Sequence, residues 1–156
     1  MYNKENLESI KNIESKEFKE KKLNFLCENL ELNNIFDFRV SSVDEGGVLT
    51  IIGDFDLSYH HSVEIIFKET EYISCPLSIS DVSFRFATES EKEELRAKCD
   101  YDRSNLVICV IEDIHLRNVT KKHFIVAEEI EYRFGTVFHY KRENLKEGER
   151  IAEWVK

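Results

Sequence analysis

Three features of the sequence predict an α+β fold, in which an N-terminal helical segment packs on a mostly antiparallel β-sheet of about six to eight strands. Residues 3–31 are rich in Lys, Glu, Asn and Leu and hold no Gly or Pro, a helix-forming composition. From about 35 to 140 apolar and polar residues alternate in short stretches, the two-residue period of strands with one buried face. Strands do not alternate with long helices, which argues against a parallel α/β sheet. A sheet of this size can curl into a half-barrel or fold into a sandwich.

The helical segment (1–34) carries two apolar stripes that do not run into one register. Leu7 and Ile10 make the first, and Leu23, Leu26 and Leu30 the second, so a break is expected near Ser15 with the second segment covering the sheet. At Ile35 the period changes. Phe36, Phe38 and Val40 alternate with Asp37 and Arg39, Asp44-Glu45-Gly46-Gly47 supplies turn residues, and Val48 to Phe55 returns, the clearest hairpin of the chain. A loop follows, then a strand over Val63 to Phe67, and Glu71 to Ser74 forms a fourth strand or continues the third. Pro76, the single proline, ends that run because it cannot donate to a ladder.

Val82, Phe84 and Phe86 alternate in a further strand, and Ser90 to Lys98 reads as a short helix capped by Thr88 or Ser90, with acids at its start where they suit the helix dipole. Leu106 to Ile111 is six apolar residues in a row, a strand covered on both faces and so placed at the centre of the sheet. Lys122 to Tyr140 forms the last long β region, with Phe124, Val126, Ile130, Tyr132 and Phe134 on one face and Gly135 at a bulge or turn. Residues 141–156 close the chain as a tail or as a short helix over Asn144 to Val155, against which Gly148 weighs.

A chain of 156 residues fits a single domain spanning 1–156, with a β body at 35–140. An apolar content of 42% with 11 Phe and 6 Tyr supplies a core, and a chain of this length buries roughly 70% of its unfolded surface. The four cysteines stand far apart in sequence with no C-x-x-C pair, so reduced thiols and a cytoplasmic location are expected. The first residues form no signal peptide, and no apolar run is long enough for a bilayer. Sparse Gly and Pro with abundant Lys, Asn, Ile and Glu fit a low-GC bacterial source.

Charge narrows the function classes. Net charge is −9, and residues 35–140 alone carry 20 acids against 11 bases. Nucleic-acid binding requires clustered Lys and Arg facing phosphates, so no nucleic-acid partner is expected. Acidity instead suits solubility, or steering toward a basic partner where the charges share a face. Phosphate loops, dinucleotide fingerprints, the G-x-S-x-G elbow and H-E-x-x-H are all absent, and no cofactor is expected.

Three weaker constellations remain. Asp54, Asp56 and His60 form the best metal-like set, although adjacent His60 and His61 on an extended chain face opposite sides, and a polar loop ending a hairpin is the simpler account. His115, His123 and His139, with Glu112 or Asp113 to orient one of them, would suit acid-base chemistry if the fold joined them; structural histidines are the simpler account there too. Cys27 and Cys109 fall on apolar faces where a thiol behaves as a small hydrophobe, and Cys99 is more exposed but has no evident base.

The reading that follows is a non-catalytic acidic protein-binding module, an inhibitor or immunity-type protein that docks on a basic partner. Glu128, Glu129 and Glu131, with Glu112 and Asp113, are its candidate partner-binding residues, and Glu69 with Glu71 is a third acidic pair that would join them if the sheet gathers all three. The alternative is a small-ligand-binding β domain with a cavity lined by Phe and Tyr. An unfamiliar enzyme using Asp54, Asp56, His60 or His115 stands third.

Overall fold

The computed structural model describes the backbone from Lys4 to Lys156 and the side chains from Ser15 onward. Helix α1 (Lys4–Leu32) runs without a break, so the interruption expected near Ser15 does not occur: nothing in its interior is Gly or Pro, and Ser alone does not stop a helix. The Leu7 and Ile10 stripe lies outside the described side chains. Leu23, Leu26 and Leu30 are buried, as their spacing predicts. The helix stops where Asn34 turns left-handed (φ 54°) and the Ile35 amide reaches back to the Leu30 carbonyl at 2.9 Å. That closure satisfies a terminal carbonyl and drives Ile35 into the core.

Ten strands follow in two sheets, more than the six to eight expected. One sheet has the order β10-β9-β3-β2-β1-β5, built from β1 (Asp37–Val43), β2 (Leu49–Asp54), β3 (His60–Lys68), β5 (Ser78–Ile79), β9 (Glu129–Phe138) and β10 (Arg150–Ile151). The other, β4-β8-β7-β6, contains β4 (Tyr72–Ile73), β6 (Val82–Phe86), β7 (Leu106–Ile114) and β8 (Val119–Ala127). All pairings are antiparallel except β10 on β9. The surplus strands are two-residue pieces, too short to show a period. Pro76 lies between β4 and β5, where the chain passes from one sheet to the other.

The two sheets face each other as an open sandwich. Leu49, Ile51, Val63, Ile65 and Phe67 meet Ile108, Val110, Ile125 and Ala127 in one apolar cluster, which α1 joins through its three buried leucines. Each such side chain contributes roughly 1.5–3 kcal/mol on burial. Phe38 and Phe84 cross this core edge to face at 5.1 Å. Gly53 lies beneath Phe38, where a Cβ would stand 2.5 Å from the ring. β7 is central in its sheet, between β6 and β8, as the apolar run predicts.

Helix α2 (Glu89–Arg96) covers the far face of the four-stranded sheet, with Leu95 in a second cluster with Val107, Cys109, Val126 and Tyr101. Thr88 is its cap: the Thr88 hydroxyl accepts the Glu91 amide while the Glu91 carboxylate accepts the Thr88 amide.

Two expectations are corrected. Phe124, Val126, Ile130, Tyr132 and Phe134 do not share a face, because Glu128 alone separates β8 from β9 and the strands belong to different sheets. Val126 faces the α2 side and Ile130 the inter-sheet core. The C-terminal helix does not form either. Asn144 (φ 58°) and Gly148 (φ 79°) turn the chain left-handed, and the tail instead docks β10 beside β9. Gly135 (φ 152°) does mark a bulge: between the pairs His61↔Val137 and Val63↔Phe134, β9 carries one residue more than β3.

Candidate functional site

The turns of the six-stranded sheet sort the polar residues into two ends. At one end the β1–β2 turn brings Asp44 and Glu45, the segment after β3 brings Glu69 and Glu71, and the β8–β9 turn brings Glu128, Glu129 and Glu131. Backbone bonds tie these three segments together. The Thr70 amide donates to the Gly47 carbonyl at 2.9 Å, the Glu128 amide to the Lys68 carbonyl at 3.0 Å, and the Glu71 amide to the Val126 carbonyl at 2.8 Å. Asp44, Glu45, Glu69, Glu71, Glu128 and Glu129 are all exposed.

Lys68 stands among these acids, with Nζ 2.7 Å from Glu131 and 3.8 Å from Glu129. Its hydrogen bond to Glu131 raises the lysine pKa and lowers that of the carboxylate. Lys22 and Arg133 also act on Glu131, and seven carboxylates outnumber these three cations, which leaves this end negative.

Glu112 and Asp113 lie elsewhere. In the β7–β8 register Leu106 sits opposite Ala127 at the acidic end, while Asp113 sits opposite Thr120, about 23 Å along the strand. Glu112 binds His123 Nε2 at 2.8 Å and Asp113 accepts the Thr120 hydroxyl at 3.0 Å. The five acids read from the sequence as one partner surface therefore form two patches, and the larger patch recruits Asp44, Glu45, Glu69 and Glu71. Strand order decides this, and spacing in sequence does not reveal it.

The opposite end gathers histidines and aromatics. Asp54 is buried and its carboxylate is filled by the Phe55 amide, His60 Nδ1 at 2.7 Å and the Ser62 hydroxyl at 2.7 Å. Asp56 turns away to bind Ser58. Among the described residues no group of three His, Cys, Asp or Glu side chains is placed to hold a metal ion. Ser62 binds Asp54 rather than His60, so the three do not form a relay that would activate the hydroxyl.

His61 does face away from His60, as alternation predicts. It is completely buried, with Nδ1 2.9 Å from His139 Nε2 and Nε2 3.1 Å from Glu64. The carboxylate requires the proton on His61 Nε2, which leaves Nδ1 to accept from the His139 Nε2–H. Glu64 also pairs with Arg150 of β10 and Arg133, and Trp154 stacks on the His61 imidazole at 6.1 Å and lies tilted against that of His139 at 5.3 Å. Burial lowers the pKa of both histidines, and His61 lowers that of His139 further. His115 instead meets Asp81, so the three histidines weighed as a set do not converge.

The thiols are all free. Burial raises each of their pKa values, that of Cys75 to about 12, so none is a thiolate near neutral pH. A depression of about 570 Å³ lies between α1 and α2, lined by Lys16, Lys19, Lys92 and Arg103 among others. Phe38, Phe67 and Phe84 fill the core instead. No helix among the described residues is long and apolar enough to cross a membrane. Compared with protein-family models, curated proteins and solved structures, the chain matches none.

Proposed function

We propose that this chain is a non-catalytic acidic binding module that docks on a basic protein partner, as an inhibitor or immunity-type protein of the bacterial cytoplasm does. The observation that carries the reading is the meeting of three separate turns, which gathers seven carboxylates at a single end of a sheet, two of them paired with Lys68. Charges gathered in this way steer a basic partner and speed encounter. The small-ligand reading draws no comparable support, because the large aromatics of the interior pack on one another.

The test is capture from lysate of the source cell at low and high salt, with wild-type bait beside a Glu128→Lys, Glu129→Lys, Glu131→Lys bait. All three side chains stand outside the apolar core, so the variant keeps its far-UV circular dichroism, and its unfolding midpoint falls only by the loss of the exposed Lys68 ion pairs. A single basic protein, held at low salt and released at high salt, is expected on wild type, with affinity for the variant lower by about tenfold or more. Equal retention by both baits removes this surface from the function.

A further inference from the structure

We infer that the outward face of α1 is a homodimer interface, on which a second copy lays its own α1 antiparallel. Phe18, Phe25 and Leu32 recur every seven residues and are 68%, 55% and 80% exposed, while Leu23, Leu26 and Leu30 bury the other side of the helix. A seven-residue period keeps the three on one stripe, about 21 Å long. The stripe continues onto the sheet: Phe25 stacks on Tyr132 at 6.3 Å, and Tyr132 meets the part-exposed Phe134 edge to face at 5.8 Å. A run of exposed aromatics of this extent marks an interaction surface.

Charge identifies the occupant. Residues 16–22 hold four lysines and two glutamates, a net of +2, whereas residues 23–32 hold two glutamates and no base, a net of −2. A two-fold axis beside Phe25 sets the positive half of one α1 against the negative half of the other; parallel pairing would oppose like charges. The same axis pairs Phe18 with Leu32 of the second copy and Phe25 with its equivalent. It also places Lys21 of each copy beside Glu28 of the other, on one flank of the stripe. Self-complementarity about a two-fold is what an isologous dimer requires.

The helix supplies an independent reason. Its last turn contains no basic residue although Glu28 and Glu31 lie near its negative end, an arrangement that opposes the helix dipole. An antiparallel neighbour brings lysines to that end and offsets the mismatch. A contact of this length falls at the small end of stable interfaces, which sets the self-affinity near the micromolar range.

Sedimentation equilibrium of the full chain, from about 5 to 500 μM at low salt, tests the inference. Wild type is expected to pass from monomer to dimer across that range. Phe18→Glu and Leu32→Glu, both at exposed positions, should weaken the dimer by about tenfold or more. Lys21→Glu should weaken it by about threefold or more, and the exchange Lys21→Glu with Glu28→Lys should restore it, because the swapped charges still meet across the axis. A chain that stays monomeric throughout overturns the inference, as does a dimer indifferent to Phe18→Glu. Failure of the charge exchange to restore the dimer overturns the antiparallel arrangement. Loss of association here leaves the acidic end intact, so this result and capture of a basic partner fail independently.

Discussion

His61 and His139 show how one shared hydrogen bond fixes a protonation state. The two facing nitrogens hold a single proton between them, and a second would set N–H against N–H beside the fully buried His61 ring. The folded pKa of each ring lies below the ordinary histidine value of 6.5, so on acidification the unfolded chain takes up protons before the folded one. Their contribution to stability is therefore complete above about pH 6.5 and is lost as pH falls below it. Glu64, the ionised neighbour, is shifted down from 4.5 and loses its contribution at lower pH. Arg39, Arg133, Arg150, Asp54 and His60 complete the charged surroundings. Urea midpoints measured at intervals from pH 8 to 5 should fall on the acid side for wild type and less so for a His61→Gln, His139→Gln variant; parallel profiles would sink the assignment. Trp154, stacked on the His61 ring and packed against that of His139, offers a fluorescence signal local to the same site.

Among the elements, α2 is the most completely written in sequence. Thr88 followed three residues later by Glu91 is a capping-box signature, and both reciprocal bonds form. Glu91 does more than cap: Arg85 holds it through two bonds and Lys122 approaches at 3.3 Å, so the Arg85 contact above all keeps its carboxyl far below the usual range. Replacing Thr88 by Ala should cost about 1 kcal/mol, and by Gly only a few tenths, in chemical unfolding; equal midpoints for Ala and wild type would show that packing of Leu95 alone sets this helix. Elements marked by composition or period were legible in the same way: the β1–β2 hairpin from its Asp-Glu-Gly-Gly turn, β7 from its apolar run, the bulge from Gly135. The tail was not, because its fold depends on two left-handed residues, Asn144 and Gly148. Nor was the division of β8 from β9, where a single exposed glutamate carries the chain between sheets.

At the scale of the whole molecule, alternation reveals which residues face a core but not which core they face. Val126 and Ile130, four positions apart, belong to different clusters. For the same reason the acidic end could be read only in part: Glu128, Glu129 and Glu131 stood out as a run and Glu69 with Glu71 as a pair, but their union with each other and with Asp44 and Glu45 is made by strand order. The His61–His139 pair is likewise joined across the β3–β9 ladder. That ladder carries a consequence for synthesis. β3 pairs with β9, whose first residue comes 61 positions after β3 ends, so during translation the strand Val63-Glu64-Ile65-Ile66-Phe67 waits with one edge unsatisfied until the last part of the chain leaves the ribosome. Long, apolar, uncovered edges recruit strands from other chains. A fragment ending at Ala127 should therefore pellet on centrifugation where the full chain stays in solution, and a monodisperse soluble fragment would show that the nascent edge is shielded by another route.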